Sequence, residues 1–135
     1  MEKSLFSKII DREIPGHVVY EDDNVIAFLD INPVNEGHTL VVPKNEKENM
    51  MESSEEDIVH VMAVVRKLVP AIMEVTGASG CNVVSNIGAS AGQSVFHTHV
   101  HIIPRHENDG LQMWPQRSVT SEELSATGER IRKAL

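Results

Sequence analysis

Three histidines alternate with Thr98 and Val100 in the run His97-Thr98-His99-Val100-His101, which continues into Ile102-Ile103. In extended backbone successive side chains leave on opposite faces, so positions i, i+2 and i+4 line one face at roughly 6.6–6.8 Å per step. The alternation therefore predicts a strand from Phe96 to Ile103. His97, His99 and His101 would share one accessible face, with Thr98 and Val100 turned to a core. Imidazole titrates near neutral pH and serves as nucleophile, proton donor or metal ligand. By itself the row suits a cation as well as a phosphate.

The rest of the chain supplies the elements such a strand must pack against. Leu5, Phe6, Ile9 and Ile10 have helical spacing and Pro15-Gly16 ends that segment. His17 to Glu21 and Asn24 to Leu29 read as strands about an Asp22-Asp23 turn, a hairpin signature. His38 to Val42 is a further apolar strand stopped by Pro43. Ser53 and Glu56 have the spacing of a capping box. Beyond them Ile58, Val61, Met62, Val65, Leu68, Val69, Ile72 and Met73 form the stripe of one long helix. Pro70 inside that stripe is expected to kink it, and Gly77 to Gly80 closes it. Cys81 to Asn86 alternates as a strand, and Thr120 with Glu123 predicts a second capping box ahead of a C-terminal helix carrying Leu124 and Ile131. These elements describe one α+β domain over residues 1–135, with a mainly antiparallel sheet, one long crossover helix and a C-terminal helix.

The 135 residues carry a formal net charge of -8, which argues against a basic nucleic-acid surface. A small anion is still compatible, because backbone amides bind phosphate whatever the global charge. Cys81 is the single cysteine and has no partner for an internal disulfide, which with the lack of a leader-like or membrane-length apolar run predicts a cytoplasmic protein. Met50, Met51, Met62 and Met73 read as packing residues. His17, His60 and His106 read as surface or edge residues.

Gly88-Ala89-Ser90-Ala91-Gly92-Gln93-Ser94 directly precedes the histidines. Small residues let backbone approach a ligand closely, and Gln93, Ser94 and the loop amides offer donors. Such a loop beside imidazoles suits a phosphate whose phosphorus a neutral ring nitrogen attacks, since a phosphohistidine splits one displacement into two easier steps.

The row, with Phe28-Leu29-Asp30-Ile31-Asn32-Pro33, Gly37-His38-Thr39-Leu40-Val41-Val42-Pro43-Lys44, Asn86 and Gly92-Gln93-Ser94-Val95, resembles the histidine triad (HIT) family of nucleotide hydrolases and transferases. The family pattern is His-φ-His-φ-His-φ-φ with φ apolar, and Thr98 departs from it mildly. The resemblance implies the HIT-like fold and makes His99 the nucleophile toward an α-phosphorus. It implies that His97 orients His99 through its carbonyl, that His101 contacts the phosphate, and that His38 joins the polar network behind. Gln93, Ser94, Asn86 and Gly92 match phosphate-side positions. Asp30 matches the ribose-binding carboxylate, although by default an aspartate before Asn32-Pro33 bonds its own turn. Phe28 and Ile31 match the walls of a purine slot. Trp114 matches a tryptophan of the nucleotide-binding branch, although such a residue more often serves packing or an interface than a ligand.

Many members bind zinc through a Cys-x-x-Cys pair, a histidine after the Pro-Lys pair and the first triad histidine. Here Ser4, Ser7 and Glu46 stand at the first three positions, which implies that no structural zinc is held. The expected activity is cofactor-free hydrolysis of purine nucleoside phosphoramidates or related nucleotidyl conjugates. The alternatives are a dinucleoside polyphosphate hydrolase and a nucleotide-binding regulatory protein with incidental turnover. His101 speaks against the uridylyltransferase branch, which has glutamine there. The resemblance also implies a homodimer joined sheet edge to sheet edge.

Overall fold

The computed structural model describes residues 2–135. A short helix α1 (Leu5–Ile10) leads into strands β1 (Val18–Glu21), β2 (Val25–Leu29) and β3 (Thr39–Pro43). The long helix α2 (Glu55–Thr76) then precedes β4 (Gly80–Val84), a 3-10 turn at Ala89–Ala91, β5 (Val100–Arg105) and the C-terminal helix α3 (Ser121–Ala134). The five strands form one sheet of order β1-β2-β3-β5-β4, antiparallel at every pairing. The α+β architecture with α2 as the long crossover is therefore the one expected. β5 is inserted between β3 and β4, so α2 has to carry the chain past one strand position.

Alternation along the central strands divides the core in two. Val25, Ala27, Val41, Val100 and Ile102 meet Val61, Val64 and Val65 of α2 on one face of the sheet. Ile26, Phe28, Leu40 and Val42 meet Phe6 and Ile9 of α1 on the other. Because β2 and β3 are buried on both faces, they read as nearly continuous apolar runs. The β1–β2 turn is held by Asp22, whose carboxylate accepts from the amides of Asn24 and Val25, both at 2.8 Å.

Several local expectations shift. The cap of α2 is Ser54, which accepts from the Asp57 amide, rather than Ser53 with Glu56. Ser53 is drawn off by tertiary contacts: its hydroxyl lies 2.6 Å from Thr98 Oγ1 and donates to the Asn49 carbonyl. The helix continues through the exposed Pro70 to a left-handed Gly77 cap. Met62 and Met51 face outward, and Val64 takes a core place instead. The capping box of α3 is present at Thr120 and Glu123, yet no residue of that helix is buried. Among the described residues, no helix is long and apolar enough to cross a membrane.

The largest correction concerns the histidine row. β5 begins at Val100, so His97 and His99 precede the strand, although Phe6 meets both their rings and His99 stands beside His101, which keeps the three rings on the α1 side. The β3–β5 register pairs Val41 with Val100 and Leu40 with His101. Extended two residues further it would set Thr98 opposite Pro43, which has no amide to give to a ladder. The chain leaves the sheet there and is held by the loop after β3: the Thr98 amide donates to the Lys47 carbonyl at 2.8 Å, and its hydroxyl meets Ser53. Replacing Thr98, which is fully buried, by the similarly shaped valine removes that hydroxyl contact. Thr98→Val should lower unfolding stability in urea by about 1 kcal/mol; an unchanged midpoint would show that the contact does not tie the segment down.

Candidate active site

His101 leaves β5 on the α1 side of the sheet, together with Leu40 and Phe28, and His99 stands beside it with ring centroids 4.9 Å apart. They open into a cleft of about 360 Å³. Phe28, Asp30, Ile31 and Ser94 also line this cleft, as do Phe6, Ile9, Ile14, Gly16 and Val95. Those last five carry no chemical signature in the sequence; only the apolar face of α1 hinted that Phe6 and Ile9 point inward. Phe6 sets its ring edge against His99 at 4.9 Å, so α1 supplies one wall of the site.

The hydrogen bonds fix which nitrogen of each ring carries the proton. The His97 ring is fully buried and its Nε2 lies 2.8 Å from the Pro43 carbonyl, which only accepts. Nε2 is therefore the protonated atom of neutral His97. His99 Nδ1 lies 2.6 Å from the carbonyl of His97, so Nδ1–H donates and the lone pair of His99 resides on Nε2. The His99 carbonyl is in turn held by the Ser85 hydroxyl at 2.8 Å.

A second relay runs through His38. The Val34 amide donates to His38 Nδ1 at 3.1 Å, which leaves the proton on Nε2. That proton is shared with His101 Nδ1 at 2.9 Å, so the free Nε2 of His101 carries an N–H. One ring thus offers a lone pair and its neighbour a donor. Burial holds all four imidazoles below the usual histidine range, so the neutral forms dominate at pH 7. His101 is lowered furthest, to about 4, by burial and then by the adjacent His99 and His38.

The remaining expected residues fall in different places. Asp30 lines the cleft with its Oδ1 accepting from the Asn32 amide at 2.8 Å and its Oδ2 3.7 Å from His38 Nε2, so it is both a turn carboxylate and a cleft residue. Phe28 forms the buried floor and Ile31 an exposed wall. Gln93 is buried and away from the cleft: its carboxamide accepts from the Gly88 amide and donates to the carbonyls of Glu48 and Val95, bracing the loop. Gly92 ends the 3-10 turn in the left-handed region (φ 99°). A Cβ placed on it would stand 3.6 Å from Asn86 Nδ2. Asn86 and Trp114 line a larger cleft, about 730 Å³, that contains none of the triad histidines.

Asp30, His38 and His101 place donor atoms within 4.8 Å of one another. His38 Nε2 and His101 Nδ1 already share a proton, which a cation bound by them would have to displace. At the position expected for structural zinc the four side chains do converge, but as a hydrogen-bonded set. Ser4 Oγ lies 2.6 Å from His97 Nδ1, and Glu46 Oε1 accepts from the Ser4 amide at 2.8 Å and the Ser7 hydroxyl at 2.5 Å. Two hydroxyls and a carboxylate whose bonds are satisfied by one another do not fit zinc, which favours thiolate and imidazole.

Known proteins share this sequence pattern and this fold. The HIT domain family model matches residues 11–108. The chain belongs to the HIT family. It is 51% identical over 106 residues, 78% of this chain and 81% of the relative, to an uncharacterized HIT-like protein of Methanocaldococcus jannaschii. It is 40% identical over 129 residues, 94% of each chain, to an adenosine 5'-monophosphoramidase of Schizosaccharomyces pombe. Among solved structures, a HIT family member from Bacillus subtilis superimposes with a TM-score of 0.92 at 41% identity, covering 99% of this chain and 98% of that one.

The depressed histidines couple the site to stability. Unfolded imidazoles take up protons near pH 6.5, whereas the folded ones resist until lower pH. Their contribution is complete above about pH 6.5 and is lost as pH falls below it, for His101 toward about 4. The melting temperature should fall between pH 6.5 and 5, before most carboxylates titrate. A flat profile over that interval would contradict the assignment of buried neutral rings.

Proposed function

We propose that this HIT protein hydrolyses nucleotidyl conjugates, purine nucleoside phosphoramidates above all, through a covalent nucleotidyl-His99. The observation that carries the reading is the His97 carbonyl on His99 Nδ1, which leaves Nε2 with a lone pair beside the cleft. In the first step that lone pair forms an N–P bond to the α-phosphorus while the bond from phosphorus to the leaving amine breaks, and the amine departs with a proton taken up from solvent. In the second, water attacks the same phosphorus, the His99–phosphorus bond breaks, and the water proton is released. His101 Nε2–H donates to a phosphoryl oxygen through both displacements, as charge builds there. Asp30 receives the ribose hydroxyls, and the base lies among Phe28, Ile31 and the α1 wall. Ser94 stands at the phosphate side, and Gln93, Gly92 and Asn86 act through the loop that presents it. The chemistry needs no metal or organic cofactor.

The same cleft favours phosphoramidates over dinucleoside polyphosphates. Its lining includes no lysine or arginine, so the extra charges of a polyphosphate leaving group find no cationic partner. The Schizosaccharomyces pombe relative, named for adenosine monophosphoramidase activity, supports this choice.

The expected result is turnover of an adenosine phosphoramidate exceeding that of diadenosine polyphosphates, with a transient AMP adduct on the peptide containing residue 99. His99→Asn should lower kcat by about 10³-fold or more. Tight AMP binding without turnover on any of these substrates would point instead to a regulatory binder. Because His99 must be neutral and burial lowers its pKa, the acid limb of the rate profile should lie below pH 6.5. A limb at or above pH 7 would contradict the buried nucleophile.

A homodimer fits the exposed surfaces. β4 pairs only with β5 and leaves one edge open, and Met113 and Trp114 beside it are 72% and 83% exposed. A second copy paired along β4 would cover both. Light scattering should return twice the 15.0 kDa chain mass; the single-chain mass would rule the pairing out.

A further inference from the structure

Resting on the reading of His99 as nucleophile, we infer that Ser4 is a positioning residue that holds the nucleophile in place by donating to His97 Nδ1. The direction of this bond follows from the other side of the ring. Pro43 accepts from His97 Nε2–H at 2.8 Å, so Nδ1 of the neutral ring has only a lone pair. The group 2.6 Å from it, Ser4 Oγ, must be the donor. The hydroxyl is free to donate because its acceptor role is met separately, by the Ser7 amide at 3.0 Å.

The serine is itself aimed. Glu46 Oε1 accepts from the Ser4 backbone amide at 2.8 Å and from the Ser7 hydroxyl at 2.5 Å. The same carboxylate oxygen is 3.8 Å from His97 Nδ1, too far to take the place of the hydroxyl. His97 is thus gripped at both ring nitrogens, by Pro43 from the sheet and by Ser4 from α1. His97 is off the strand, so no β ladder holds its backbone. Its ring therefore anchors the carbonyl that orients His99 at 2.6 Å. A line of four groups, Glu46, Ser4, His97 and His99, connects an exposed carboxylate to the reacting nitrogen.

Ser4 is also the N-cap of α1, and a cap alone would account for a serine there. Two variants separate the roles. Glycine caps a helix nearly as well as serine but offers no hydroxyl, whereas threonine supplies both functions. Wild type, Ser4→Gly, Ser4→Thr and Glu46→Ala should be compared for kcat and KM on an adenosine phosphoramidate. The rate at which the His99 Nδ1 proton exchanges with solvent should be read by NMR on the same proteins.

Ser4→Gly should lose about tenfold in kcat with KM within about twofold, since misplacement by a fraction of an ångström has that scale of effect. Its His99 Nδ1 proton should exchange faster, and Ser4→Thr should restore both. Glu46→Ala, which removes the support of Ser4 and no hydrogen bond of His97, should shift exchange in the same direction and decides the matter if Ser4→Gly does not fold. Unchanged kcat and unchanged exchange in Ser4→Gly, or in Glu46→Ala where that is the variant available, would overturn the proposal. So would Ser4→Thr behaving like Ser4→Gly. If wild-type protein turns over no phosphoramidate, the functional reading fails, while the exchange comparison still accepts or rejects Ser4 as the holder of His97.

Discussion

The carbonyl of Pro43 accepts a hydrogen bond and cannot give one, and the ring that meets it is the buried imidazole of His97. Pro43 also ends the ladder between β3 and β5, because it has no amide to extend it. Both consequences come from one residue. The chain is released from the sheet just where the histidines begin, and the first of them is turned inward. It then serves as a strut, and its own carbonyl sets the proton of His99. The relay from the Val34 amide through His38 does the same for His101 with the opposite result. Two neighbouring imidazoles of the same chemical type thereby become different reagents, one with a lone pair available and one with a donor.

The electrostatic setting reinforces that division. A protein of formal net charge -8 is a poor global attractor for a phosphate. The site does not depend on net charge: it uses N–H groups and neutral rings kept neutral by burial, where directional donors act with less competition from water. The acidic groups near the rings do not hydrogen-bond the nucleophile. Asp30 bonds the Asn32 amide and Glu46 bonds Ser4 and Ser7, so neither takes a hydrogen bond from His99. Protonation of His99 would destroy its nucleophilicity, and its placement against Phe6 limits that.

Features that depend on local period or cap chemistry were legible in the sequence. The β1–β2 hairpin, the long helix and the capping box at Thr120 all follow from residue spacing. The residues of the family pattern also met as a group: His99, His101, Asp30, Phe28, Ile31 and Ser94 line one cleft. What was not legible depends on a partner distant in sequence. The alternation of the histidine row reads as one continuous strand, and only the register against Pro43 shows that the ladder stops short of His97 and His99. Ser53 and Ser54 are equivalent as caps until Thr98 engages the first of them. Gln93 has the donors for a phosphate, but the carbonyl of Glu48 takes one of them. The role of Ser4 needs residues 4, 43, 46 and 97 together, and no local pattern links them.

The chemistry of the site depends on where the protons sit among four imidazoles, so the most direct measurement is the tautomer of each ring by nitrogen-15 NMR at pH 7. His97 should be protonated at Nε2 and His99 at Nδ1. His38 and His101 should both be protonated at Nε2, with all four rings neutral. A His99 ring protonated at Nε2, or charged at that pH, would remove the lone pair from the cleft and contradict this assignment.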